Sequence, residues 1–183
     1  MNLRINSFQE YLEKYNESVN DPAAFWDEIA KTFTWQKPYE SVLNWEFDTP
    51  EVKWFEGGKM NISENCLDRH LEERGNKVAI IWEPNDPKDE VVKWTYKALY
   101  SRVCCFANAL KHQGIRKGDR VVIYMPMIPD LAVALLGCAR IGAVHSVVFA
   151  GFSASAMADR INDAQAVAVI TSDGLNRGEK QID

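Results

Sequence analysis

The stretch GDRVVIYMPMIPDLAVALLGCARIGAVHSVVFAGFS, Gly118–Ser153, decides the fold. It holds two continuous apolar runs, Arg120–Met125 and Val144–Phe149, on either side of the segment Pro129–Ile141. Runs of β-branched residues without polar alternation are typical of strands buried on both faces. The segment between them opens with proline and is followed by Gly142, the residue types that favour a helix start and a helix end. The stretch therefore predicts a βαβ unit with two parallel strands.

The same pattern continues on both sides of this unit. On the carboxyl side it predicts a helix at Ser153–Asn162 and a strand at 166–171, and on the amino side a helix that Thr95 caps and Gly114 ends. Shorter strands are predicted at 77–82 and 91–96. Apolar strands that alternate with amphipathic helices indicate an α/β class, with a mostly parallel sheet and helices on both faces.

Residues 1–60 differ from this body, so we predict two domains, 1–60 and 61–183. The first is predicted to be an irregular Trp-rich arm that wraps the body, with short helices near 7–16 and 22–32. Its tryptophans are expected to dock on the body, and a stacking platform for a ligand is the alternative. At the start of the second domain, Ser63 is expected to cap a helix that ends near Gly75.

Composition and charge exclude several classes of protein. A net charge of −5 without a basic stripe argues against a nucleic-acid partner. The longest apolar run, Leu131–Ala139, is far shorter than the roughly 20 residues of a membrane span. None of the 4 cysteines belongs to a CxxC pair, which argues against a disulfide framework or a metal site. We therefore expect a cytoplasmic protein with no metal ligands.

Ligands of parallel sheets bind beyond the carboxyl ends of the strands, and three predicted loops lie there. They are Met125–Met127, Phe149–Phe152 and Thr171–Lys180. In the last loop Arg177 and Lys180 would suit a phosphate group, although loop charges are more often only solvated. The sequence contains no HExxH element, Walker loop or Gly-x-Gly-x-x-Gly element. We therefore predict no catalytic residue in this chain.

Three blocks resemble a known family. WFEGGKMNISENCLDRHL at 54–71, the opening stretch at 118–153 and VITSDGLNRGEK at 169–180 closely resemble the AMP-forming acyl-CoA synthetases, and their acetate-activating members most of all. The resemblance implies a ligase that activates acetate with ATP to acetyl-adenylate and then transfers the acetyl group to coenzyme A. It implies ATP, coenzyme A and Mg²⁺ as the small molecules of the complete enzyme.

The resemblance also implies roles for individual residues in coenzyme A binding. The turn that contains Phe149, Ala150 and Gly151 would follow the pantetheine arm, because small residues let a narrow ligand run close to the backbone. The family usually has Phe-Gly-Gly-Phe at this turn, so Ala150 is a departure. The alternative for these small residues is close packing of strand against helix.

The basic segment would hold the other end of coenzyme A. By resemblance, Arg177 and Lys180 match the two positions that bind the 3′-phosphate ADP portion, with Gly178 and Glu179 between them. The second position is commonly Arg, and Lys keeps the charge but loses the bidentate fork.

Other elements of the family do not occur in this sequence. The Ser/Thr/Gly-rich phosphate loop, the adenine-binding segments, the acyl pocket and the adenylating lysine are absent. We therefore expect the N-terminal portion of a longer synthetase, inactive alone, whose partners are its small substrates and the remainder of the synthetase chain. The alternatives are a propionyl- or other short-chain acyl-CoA synthetase and a stand-alone coenzyme A-binding module.

Overall fold

The structure, a computed structural model, describes residues 4–177 and 180–182, with side chains for residues 4–174. Contacts divide the chain into two compact units, Met1–Asn61 and Ile62–Asp183. None of the helices in the described part has the length and hydrophobicity that a bilayer crossing requires.

The first unit consists of two helices and a β-hairpin. Its elements are α1 (Phe8–Asn20), α2 (Pro22–Ala30), β1 (Ser41–Glu46) and β2 (Glu51–Glu56). Ser7 and Asp21 accept backbone N–H groups of α1 and α2, so both helices begin where the sequence predicts. The antiparallel pairing of β1 with β2 was not predicted, because neither strand has the apolar alternation of a half-buried strand.

Aromatic side chains hold this unit together. The rings of Trp35, Tyr39 and Phe55 lie 4.9–5.6 Å apart, and the indole of Trp26 meets that of Trp54 edge to face at 6.4 Å. The indole N–H of Trp35 donates to the carbonyl at the end of α2 over 2.8 Å. Such ring pairs add to the burial of apolar area, so they connect α2 to the hairpin.

The second unit carries the predicted α/β pattern. Its first part contains α3 (Ile62–Cys66), a 3₁₀ turn (Asp68–His70), α4 (Leu71–Arg74), β3 (Val78–Trp82), β4 (Val92–Thr95) and α5 (Tyr96–His112). Its second part contains β5 (Arg120–Met125), α6 (Pro129–Ile141), β6 (Val144–Phe149), α7 (Ala154–Ala164), β7 (Ala168–Thr171), β8 (Leu175–Arg177) and β9 (Lys180–Ile182).

The parallel sheet has the order β6-β5-β7, and β3 with β4 forms a separate antiparallel pair. The central strand β5 is the most buried, with Val121, Val122 and Ile123 all at 0% exposure. Val121 and Ile123 pack in a cluster with Leu131, Ala134 and Cys138 of α6. These features confirm the predicted α/β class.

Helix α7 covers the other face of the sheet. It contacts β5 and β6, and the Tyr124 hydroxyl of β5 donates to the backbone just before α7. Side chains alternate between the faces of a strand, so Tyr124 and Val122 point away from the α6 face. Helix α6 connects β5 to β6, and α7 connects β6 to β7 on the other side of β5. Because such crossovers are right-handed, the two helices lie on opposite faces of the sheet.

The helix predicted from Ser63 to Gly75 is broken, and Ser63 does not cap it. Ser63 lies inside α3 at 0% exposure, and its hydroxyl accepts from the Arg140 guanidinium over 3.4 Å. The break places the Asp68 carboxylate against Arg140, which donates to both of its oxygens over 2.7 and 2.8 Å. Arg140 also lies 5.1 Å above the ring of Tyr100. The bidentate pair holds the 3₁₀ turn against α6, and the hydrogen bonds to the Asp68 carboxylate raise the pKa of the guanidinium.

We expect the Asp68–Arg140 pair to stabilise the second unit. Both side chains are only partly exposed, at 30% and 21%. Asp68→Asn and Arg140→Gln should each lower the free energy of unfolding by about 1–3 kcal/mol, and the double variant should lose less than the sum. Urea denaturation of the three variants measures the coupling.

The surface pair Lys53–Glu51 serves as the control, because its side chains are 50% and 66% exposed. Its coupling should stay below about 0.5 kcal/mol. Additive effects of Asp68→Asn and Arg140→Gln would contradict a structural role for the buried pair.

Candidate functional site at the carboxyl edge of the sheet

The three strands of the parallel sheet end within one residue of the same level. Met125 pairs with Phe149, and Tyr124 pairs with Thr171. The chain therefore leaves β5, β6 and β7 at one edge, where parallel sheets bind their ligands. The structure thus brings the predicted loops Met125–Met127 and Phe149–Phe152 to one edge, together with the start of the segment after Thr171.

The turn after β6 contains the predicted residues Phe149, Ala150 and Gly151. Gly151 has a φ of 148°, a backbone conformation that glycine adopts without strain. Ala150 is not among the described residues with positive φ, so its backbone does not require glycine. The departure from the family pattern at this position therefore fits the geometry of the turn.

Two phenyl rings cover the outside of this turn. Phe149 is 69% exposed and Phe152 is 44% exposed, and their rings meet edge to face at 6.3 Å. The Phe152 amide donates to the Phe149 carbonyl over 3.2 Å, which closes the turn. The turn therefore presents apolar surface and little side-chain bulk at Ala150 and Gly151.

Two side chains hold the turn in place. The hydroxyl of Tyr124 on β5 donates to the Phe152 carbonyl over 3.1 Å. On the other side, the guanidinium of Arg160 on α7 lies 4.6 Å from the centre of the Phe152 ring. Sequence reasoning missed both residues, and the one available signal was a tyrosine near the end of an otherwise apolar strand.

The loop after β5 is held in a similar way. The indole N–H of Trp82, at the end of β3, donates to the Met127 carbonyl over 2.7 Å. Met127 itself is 76% exposed. This hydrogen bond links the antiparallel pair β3–β4 to the edge of the parallel sheet.

The basic segment predicted as a loop contains two short strands. β8 and β9 form an antiparallel hairpin in which Arg177 lies opposite Lys180. Two residues that lie opposite each other in a hairpin are close together, whereas two residues of an irregular loop need not be. The side chains of Arg177 and Lys180 lie outside the described part, as do Gly178 and Glu179 altogether.

The described residues offer no metal centre at this edge. Among residues 4–174, no group of three or more His, Cys, Asp or Glu side chains could hold a metal ion. Cys138, near the C-terminal end of α6, lies away from this edge, and burial raises the pKa of its thiol to about 11. The arrangement leaves room for a ligand along the turn.

Comparison with protein families identifies two matches that together cover most of the chain. A model described as "AMP-binding enzyme" matches residues 67–183. A model described as "Acetyl-coenzyme A synthetase N-terminus" matches residues 11–66. These matches confirm the resemblance predicted from the sequence.

Individual relatives agree with the family matches. The chain is 54% identical to an acetyl-coenzyme A synthetase of Psychromonas ingrahamii over 186 residues, covering 99% of this chain and 28% of the relative. It is 56% identical to an acetyl-coenzyme A synthetase of Desulfatibacillum aliphaticivorans over 173 residues, covering 94% and 27%. The chain therefore spans little more than a quarter of the length of these curated relatives.

A solved structure shows the same fold. The acetoacetyl-CoA synthetase from Streptomyces lividans superposes with a TM-score of 0.85 at 29% identity, over 98% of this chain and 27% of that protein.

We expect the Tyr124 hydroxyl to restrain the turn. Tyr124→Phe removes the bond to the Phe152 carbonyl and keeps the ring. A net hydrogen bond contributes about 0.5–1.5 kcal/mol, so amide exchange at residues 150–153 should accelerate about two- to tenfold. Hydrogen-exchange mass spectrometry measures this, with the amides of α5 as an internal control. Equal exchange of the turn in both proteins would contradict the restraint.

Proposed function

Because the chain belongs to the family of AMP-binding enzymes, we propose that it forms the coenzyme A-binding part of an acetate–CoA ligase. The observation that carries the proposal is the 54% identity, over 99% of this chain, to an acetyl-coenzyme A synthetase. The family's AMP-binding model and the synthetase N-terminal model match adjoining segments, which supports the same assignment.

The proposed reaction has two steps. The carboxylate of acetate attacks the α-phosphate of ATP, which forms acetyl-adenylate and releases pyrophosphate. The thiol of coenzyme A then attacks the acetyl carbonyl, which forms the thioester and releases AMP. Mg²⁺ would neutralise phosphate charge in the first step. The described residues include no cluster of three or more His, Cys, Asp or Glu side chains that could hold a metal ion, and none of the roles proposed for this chain involves the metal.

In the second step, the turn at the end of β6 would line the path of the pantetheine arm. Ala150 and Gly151 leave room for a ligand close to the backbone, and the exposed rings of Phe149 and Phe152 offer apolar contact. The tethers from Tyr124 and Arg160 would keep this surface ordered before the ligand arrives. An ordered surface loses less conformational entropy on binding.

The basic hairpin would bind the 3′-phosphate ADP portion. Arg177 and Lys180 are opposite each other on β8 and β9, so the hairpin supports convergence of two positive charges. Gly178 and Glu179 would form the connection between them. Arg177 would make the stronger contact, because guanidinium binds phosphate through a bidentate fork and ammonium does not.

The relatives support the proposed substrate, and the cysteines support the proposed location. The relatives named above are acetyl-coenzyme A synthetases, which supports acetate over propionate or another short-chain acid. All four cysteines are free thiols, which supports a cytoplasmic location, since disulfides are rare there.

We predict that the 183-residue chain alone forms no acyl-adenylate, because its sequence lacks the ATP phosphate loop and the adenylating lysine. Acetate-dependent exchange between ATP and pyrophosphate measures this step. Exchange above that of a buffer control would contradict the prediction.

A second prediction separates the two half-reactions. In a full-length synthetase that carries this sequence, Arg177→Glu should raise the apparent KM for coenzyme A about ten- to a hundredfold, because a charge-assisted bond to phosphate is lost and repulsion is added. Pyrophosphate exchange should stay nearly unchanged. Lys180→Glu should act in the same direction but more mildly.

Dephospho-coenzyme A provides the control, because it lacks the 3′-phosphate and should respond much less to Arg177→Glu. If exchange collapses while the KM for coenzyme A stays constant, Arg177 is structural and the proposed binding role is wrong.

A further inference from the structure

A basic groove lies at the opposite end of the sheet from the turn after β6. It has a volume of about 560 Å³ and runs between the C-terminal halves of α5 and α6 and the loop that enters β5. Lys117 and Ile141 line it, and they come shortly before β5 and β6. The groove is therefore at the amino ends of the strands, apart from the surface proposed for coenzyme A.

The charges that line this groove are of one sign. Lys111, Arg116 and Lys117 are exposed, and none of them has an ion pair in the described part of the chain. Arg140 also contributes to the wall, but Asp68 compensates its charge. The described lining includes no carboxylate. The carboxylate of Asp119, on the same loop, accepts the Arg116 amide over 2.7 Å. Three cations beside one carboxylate leave a local excess of positive charge in a chain with a net charge of −5.

The simplest alternative is that these cations complement the carbonyls at the ends of the helices. The capping loops already satisfy many of those carbonyls. After α5, the amides of Gln113, Gly114 and Ile115 donate to carbonyls of its last turns, and after α6 the amides of Gly142 and Ala143 do the same. The cations are therefore not needed as hydrogen-bond donors to these carbonyls.

The position of Lys117 is restricted by its contact with Gly142. A Cβ atom on Gly142 would lie 2.8 Å from Cγ of Lys117, so the lysine stem passes directly over this glycine. Gly142 also has a φ of 75°, and its carbonyl accepts the Gly118 amide over 2.9 Å. The stem of Lys117 is thus packed at its base, which lowers the entropy lost when its ammonium group binds an anion.

We propose that this groove binds a diphosphate-type anion, either inorganic pyrophosphate or the diphosphate of a small nucleotide. Lys111, Arg116 and Lys117 would supply the charge. The buried side chains of Ala107 and Ile115 form an apolar floor, and the volume exceeds that of a diphosphate alone. This binding does not depend on the proposed ligase activity.

Titration of the complete chain with pyrophosphate and with ADP, both without Mg²⁺, tests the proposal. We expect saturable binding by calorimetry and shifts of the backbone amide signals of Lys111, Ile115 and Ile141 in NMR spectra. Lys117→Gln should weaken binding about tenfold, since one charge-assisted contact is lost. The double variant R116Q/K117Q should weaken it further, and added salt should weaken all of these interactions.

Lys93→Gln is the matched control, because it removes the same charge from an exposed position on β4 that does not line the groove. Binding that survives Lys93→Gln and fails in R116Q/K117Q supports the groove. The proposal is overturned if the unmodified chain shows no saturable binding of either probe. It is also overturned if Lys93→Gln weakens binding as much as Lys117→Gln.

Discussion

The parallel pairing of β5 with β6 on one side and with β7 on the other is the constraint on which the second unit depends. Val121, Val122 and Ile123 are completely buried because sheet neighbours flank both edges of β5 and helices cover both its faces. A shift of the register by one residue would turn every side chain of β5 to the opposite face and exchange the residues that pack against α6 and α7. This register sets the level at which all three strands end.

The geometry of the candidate site depends on that register. Tyr124 reaches the Phe152 carbonyl because it is on the central strand, one residue before the level at which β6 ends. Phe149 and Phe152 stay exposed although they are aromatic, so the turn has a surface that a partly apolar ligand could cover. The described residues of this edge therefore offer apolar contact and a backbone held in one position.

The two ends of the sheet differ in charge. The carboxyl end presents an apolar turn, and the amino end presents the groove with Lys111, Arg116 and Lys117. The Asp68–Arg140 pair lies beside that groove and removes one positive charge from its wall. A partly buried pair of this kind adds modest stability, but it also determines how the turn at Asp68 docks on α6.

The local elements of the α/β region, and the family to which the chain belongs, could be predicted from the sequence. The predicted bounds of β5, α6 and β6 agree with the structure, because continuous apolar runs and a Pro-to-Gly helix are local signals. The break at Asp68 could not be predicted, because it depends on a contact with Arg140, which is 72 residues away in the chain. The same holds for the tether between Tyr124 and the turn, and for the groove. Contacts between residues far apart in the chain depend on how the elements pack, and the periodicity of a short stretch of sequence does not indicate that packing.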